Sequence, residues 1–134
     1  MSKSPVFSCT LPVRWGDMDA YHHVNNTVYF RFFEEARVQL IENIAGGQIA
    51  GRDDGPVIIT ANCTFLKPVV YPNDVRVDCY LGEMGRSSFM VHYELFAASD
   101  PEKPACTGDS KVVWVDHAKG CSMELPGFIR EKVA

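Results

Sequence analysis

Apolar positions along the chain change period several times, and the changes mark out the elements. Residues 5–15 carry apolar and β-branched side chains and predict a strand, with Pro5 and Pro12 making it edge-like or bent. Residues 16–25 are polar and read as a loop. From about Asn26 to Ala45 the pattern is helical. At about 100° per residue, Tyr29, Phe30, Phe32, Phe33, Ala36, Leu40, Ile41 and Ile44 fall within one arc of roughly half the circumference. Arg31, Glu34, Glu35, Gln39 and Glu42 lie opposite, with Val38 the exception. An arc this broad predicts a helix embedded in the fold. Asn25 or Asn26 is placed to cap its start, and Gly46-Gly47 stops it, as glycine does past a helix C-terminus.

Four strand-like runs follow, at about 56–70, 74–82, 87–98 and 105–116. Val75, Val77, Cys79 and Leu81 alternate with Arg76, Asp78 and Tyr80, which gives that strand one apolar face. The connections Tyr71-Pro72-Asn73-Asp74, Gly82 to Arg86, and Ser99 to Pro104 are short and rich in turn residues. Such links suit antiparallel neighbours, and no crossover helix separates the strands, which argues against a doubly wound parallel sheet. The order strand, helix, four strands predicts an α+β fold: an antiparallel sheet covering one long apolar helix.

At 134 residues the chain predicts a single domain over 1–134. Apolar residues at 46% and charged ones at 22% are the balance of a globular protein rather than a disordered one. The net charge of −4 and the scatter of the Lys and Arg residues argue against phosphate-driven nucleic-acid binding. No apolar run approaches the ~18–20 residues that span a bilayer, so no membrane partner is expected. Met1-Ser2-Lys3-Ser4-Pro5 lacks the apolar stretch of a secretory leader. Cys9, Cys63, Cys79, Cys106 and Cys121 are dispersed, with no CxxC. They read as reduced thiols and a cytoplasmic location.

Most of the unusual chemistry sits in Arg14-Trp15-Gly16-Asp17-Met18-Asp19-Ala20-Tyr21-His22-His23-Val24-Asn25-Asn26. Two carboxylates, two imidazoles and two carboxamides precede a helix start, where backbone N–H groups lack intrahelical partners and favour developing negative charge. A carboxylate facing such donors is the minimal equipment for acyl transfer. Each residue alone has a plainer role: Asp17 holding the loop, an Asn capping the helix, a His packing on a loop. The cluster says more than any member. Asp17, Asp19, His22 and His23 around a divalent ion is a competing arrangement, but adjacent histidines seldom converge on one ion. No metal is expected.

Asp17-Met18-Asp19, then His23-Val24-Asn25-Asn26 and Tyr29 to Arg37, resemble the 4-hydroxybenzoyl-CoA thioesterase-like branch of the hotdog-fold acyl-CoA thioesterases. Phe65-Leu66-Lys67-Pro68-Val69, Tyr71 to Asp74, and Gly85-Arg86-Ser87-Ser88-Phe89 are similar to it too. The resemblance, over roughly residues 6–118, implies a sheet wrapped around a long central helix. It also implies hydrolysis of an acyl-CoA to free acid and coenzyme A, no separate cofactor, and a homo-oligomer, a tetramer built as a dimer of dimers. It makes Asp19 the catalytic carboxylate, as nucleophile or as general base, and the N–H near Asn26 the donor that polarises the carbonyl. His23 lies in the same motif, and His22 stands where the family often has glycine. A non-catalytic acyl-CoA-binding module is the alternative reading, with a metal-dependent hydrolase behind it.

In the family's other branch the acid comes from the helix or the following strand. Here Ile59-Thr60-Ala61-Asn62 and the outward Glu34 and Glu35 disfavour that acid, and leave Asn62 or Thr60 to orient a water. Arg86, Ser87 and Ser88 offer a cation and hydroxyls to a coenzyme A phosphate, with Lys67 a weaker candidate. Arg37, inside the apolar arc, is expected to pair with a carboxylate. Tyr21, Val24, Val28, Phe32 and Ile59 are candidates to line the acyl pocket.

Overall fold

The computed structural model describes residues 4–133. Met1–Lys3, on which the leader reading partly rests, and Ala134 lie outside the described residues. The chain runs β1 (Phe7–Pro12), a single 3-10 turn (Trp15–Asp17), α1 (Asn26–Ala45), β2 (Asp54–Phe65), β3 (Asp74–Gly82), β4 (Ser88–Ala97), β5 (Cys106–Asp116), β6 (Cys121–Ser122) and α2 (Gly127–Val133). The strands form one antiparallel sheet in the order β1-β3-β4-β5-β2, with β6 pairing the end of β5. The β3–β4 and β4–β5 pairs are antiparallel hairpins, because their links are too short for a crossover.

The limits of α1 are the expected ones, and their cause is local. The Asn25 side chain accepts from Thr27 N–H at 2.9 Å, and Gly46 closes the helix at φ 59°, a conformation open to glycine. Tyr29, Phe32, Phe33, Ala36, Leu40, Ile41 and Ala45 are buried. All of these but Ala45 pack with Val75, Val77, Cys79, Phe89, Val91, Tyr93, Leu95, Val112 and Trp114 from the sheet in one core. Phe33 stacks on Tyr93 with ring centres 4.5 Å apart and planes 9° from parallel.

Four expectations need correction. The first strand ends at Pro12, and the 3-10 turn takes the residues after Arg14. The second stops at Phe65 rather than residue 70, where the chain turns toward Pro68. Phe30, expected on the buried arc of the helix, and Ile59, a candidate pocket residue, are exposed. Arg37 meets no carboxylate within hydrogen-bonding range among the described residues. Its Nη1 donates to Tyr93 Oη at 3.2 Å and Ser110 Oγ at 3.3 Å, and Tyr93 Oη donates to Ser110 at 3.0 Å. Burial pushes the Tyr93 phenol up, so it stays a neutral partner.

β6 and α2 had no counterpart in the sequence reading. A two-residue strand and a seven-residue helix carry too little periodicity to stand out. α2 is held by tertiary contacts: Ile129 is buried in the core, and Phe128 meets Trp114 edge-on. Among the described residues no helix is long and apolar enough to cross a membrane.

Candidate active site

The polar loop is a tight hairpin docked at the start of α1. Met18 bridges Val24, Asp19 N–H donates to the His23 carbonyl at 3.0 Å, and His22 N–H returns to the Asp19 carbonyl at 3.1 Å. His22 closes the turn at φ 67°. That is the left-handed position where the family's glycine would sit without strain. Histidine is among the residues that adopt this region more readily than most.

The two aspartates do different work. Asp17 is 4% exposed and satisfied within the loop. Its Oδ2 accepts from Arg14 N–H at 2.8 Å, and its Oδ1 takes Arg14 Nη2 at 3.0 Å. Its carbonyl accepts Asn25 N–H at 2.9 Å, which ties the turn to the helix start. Asp19 is half-buried and faces the helix start itself. Oδ1 accepts Tyr21 N–H at 2.9 Å and Oδ2 accepts Asn25 Nδ2 at 3.1 Å. Asn25 thus caps α1 with its oxygen and orients Asp19 with its nitrogen. The next N–H, that of Asn26, has no protein acceptor among the described residues, as expected for a first helical position.

Beside this point lies a cleft of about 300 Å³ lined by His23, Val24, Asn26, Tyr29, Phe65, Leu66, Lys67 and Pro68. Burial pushes the Tyr29 phenol up to about 12, which removes it as an acid or base near neutral pH. Phe65 and Leu66 were not in the sequence reading of this cleft. They enter because Leu66 and Lys67 N–H both bind the Ala105 carbonyl, folding that segment back toward the helix start. No local pattern announces such a contact. Lys67 is engaged by Asp100 in an ion pair, whose ammonium holds that carboxyl below the usual carboxylate range. Tyr21 is 81% exposed at the hairpin tip.

His23 and Asn26 line the cleft and Asp19 is bound to the N-cap Asn25 next to it, whereas Arg86, Ser87 and Ser88 do not join them within one chain. The loop sits where β3 begins, since Val13 N–H binds the Asn73 carbonyl. The Arg86 turn lies past the far end of β3. Nine residues of strand separate the two by about 26 Å at roughly 3.3 Å per residue. Among the described residues no group of three or more His, Cys, Asp or Glu side chains is placed to hold a metal ion.

A long helix covered by an antiparallel sheet, with an acid held beside an open helix start, defines the class: a hotdog-fold thioester hydrolase. The chain belongs to the Thioesterase-like superfamily, whose family model matches residues 13–133. Among solved structures, the PA2801 protein from Pseudomonas aeruginosa is 43% identical with a TM-score of 0.90, covering 98% of this chain and 100% of that one. A gentisyl-coenzyme A thioesterase shares the fold at 20% identity and a TM-score of 0.83, covering 96% and 100%. The long-chain acyl-CoA thioesterase FadM of Escherichia coli is 26% identical over 126 residues, 92% of this chain and 93% of that one.

Proposed function

We propose that this chain hydrolyses acyl-CoA thioesters to free acid and coenzyme A, with Asp19 acting on a carbonyl polarised by the Asn26 N–H. The observation that carries the reading is the hold on Asp19. Its carboxylate is fixed from both oxygens by Tyr21 N–H and the N-cap Asn25, and the residue after that cap, Asn26, has an N–H with no acceptor among the described residues. A thioester oxygen bound there gains negative charge as the carbonyl is attacked, and the helix start stabilises it. Asp19 then either adds to the carbonyl carbon, expelling the coenzyme A thiolate and leaving an anhydride for water to open, or takes a proton from a water that attacks instead. Both routes need the same geometry. His23 on the cleft wall is placed to relay the proton to the leaving thiolate.

Substrate binding calls for a second copy. Arg86, Ser87 and Ser88 suit a coenzyme A phosphate, yet they lie at the far end of the sheet from Asp19. A partner chain that brings its turn to this cleft completes the site. β2 supports an assembly: it is an unpaired edge of 12 residues with Val57, Ile59 and Phe65 exposed, and natural edges of that length are usually covered. The reading needs no metal and places the chain in the cytosol, consistent with five free cysteines.

A panel of acyl-CoA esters assayed for thiol release, before and after exhaustive chelation, tests the activity. Turnover unchanged by chelation is expected; binding without turnover would make the chain a non-catalytic acyl-CoA module. The shared site has its own test. Asp19→Ala protein mixed under exchange conditions with Arg86→Ala protein, at an acyl-CoA concentration well below the raised KM of the second, should regain part of the parent activity. No recovery in demonstrated hybrids would remove the Arg86 turn from the Asp19 site.

A further inference from the structure

We infer that Arg130 on α2 is a positioning residue for the phosphate-binding turn at Gly85–Ser88; this rests on the proposed role of that turn in holding coenzyme A. Arg130 Nη2 donates to the Gly85 carbonyl at 3.2 Å and to the Arg86 carbonyl at 2.9 Å, and Nη1 reaches Met84 Sδ at 3.7 Å. The Arg86 carbonyl also takes Leu125 N–H at 2.9 Å. Two consecutive carbonyls are therefore drawn toward the C-terminal segment.

A trans peptide places its C=O and N–H on opposite sides. With both carbonyls turned to Arg130, the N–H groups of Arg86 and Ser87 point the other way. Neither has an acceptor among the described residues. Successive N–H groups turned outward form an anion cradle in a turn that carries the exposed Arg86 and the half-buried Ser87 and Ser88. The rest of the turn is fixed independently, by Gly85 N–H on the Ser88 carbonyl at 2.7 Å and Trp114 N–H on the Ser87 carbonyl at 2.8 Å. Arg130 Nε is buried without a hydrogen bond, a cost the molecule bears while both carbonyls are held. The guanidinium also sets a fixed positive charge behind the cradle, which favours an anion in front of it.

The test compares coenzyme A with thioesters that lack its phosphates. In Arg130→Met the dissociation constant for coenzyme A and the KM for acyl-CoA should each rise about tenfold, the scale of losing charge-assisted hydrogen bonds, with kcat within about twofold. Hydrolysis of the matching N-acetylcysteamine thioester should stay within about twofold, since it has no phosphate to place. Arg130→Lys, which keeps the charge and one donor, should recover part of the affinity, and it carries the test if Arg130→Met does not fold. Equal losses on both esters, or unchanged coenzyme A affinity in a folded variant, would overturn the inference. Arg86→Ala separates it from the reading beneath it. If Arg86→Ala weakens coenzyme A and Arg130→Met does not, only the role of Arg130 falls. If neither does, the turn does not bind coenzyme A.

Discussion

Replacing Asp19 should lower kcat by about 10²–10⁴, the usual scale for losing a positioned acid–base group, with little change in affinity for the intact ester. The structure distinguishes the two obvious variants. In Asp19→Asn the side-chain oxygen can still accept Tyr21 N–H, but the new amide nitrogen faces Asn25 Nδ2, so donor meets donor. Asn25 cannot flip to relieve this, because its oxygen already takes Thr27 N–H and Oγ1 at 2.9 Å and 2.6 Å. Asp19→Asn should therefore also lose roughly 0.5–1.5 kcal/mol of stability, one hydrogen bond's worth. Asp19→Ala opens both contacts and excludes slow return of the acid by deamidation. A folded Asp19→Ala protein with near-parental kcat would refute the assignment and pass it to His23 or His22, the other bases of the loop. Asp17→Asn should act on stability or KM instead, because its carboxylate is spent on Arg14.

Gly108→Ala should destabilise the fold by about 3 kcal/mol, the upper end of what overpacking costs. At this chain length that corresponds to a fall in Tm of roughly 10 °C. Gly108 on β5 lies beneath Phe33. A methyl group there would stand 2.4 Å from the Asn62 carbonyl oxygen and 2.7 Å from Phe33 Cε2. Neither wall can yield cheaply: one is the backbone of the adjoining strand, the other a ring stacked on Tyr93. Adding Phe33→Leu should recover part of the loss, since neighbouring sites couple. Gly16→Ala, with nothing within 4 Å of the added carbon, is the control and should change Tm little. A Gly108→Ala protein melting within a degree or two of the parent would refute the close approach. Because this contact holds α1 against the sheet, its loss should cost stability before it costs chemistry at Asp19.

What could be read from the sequence was local in its physics. Asn25 and Gly46 act through their own side chain and backbone freedom, so the ends of α1 were legible, with only the choice between Asn25 and Asn26 as the cap left to the structure. The α+β class followed from one helical period and several turn-linked strands. The motif around Asp19, His23 and Asn26 was legible because its members are close in the chain and share one hairpin. Contacts between distant segments were not. Arg37 had to have a partner, but a carboxylate and the Tyr93–Ser110 pair are equally open until strand register is known. Phe65 and Leu66 reach the cleft through Ala105, forty residues of strand and turn further on. Only the tertiary structure set the Arg86 turn at the opposite end of the sheet from Asp19 and put α2 against it. Sequence proximity and residue type fix which groups can do chemistry; strand pairing and core packing, summed over the whole chain, decide which of them meet.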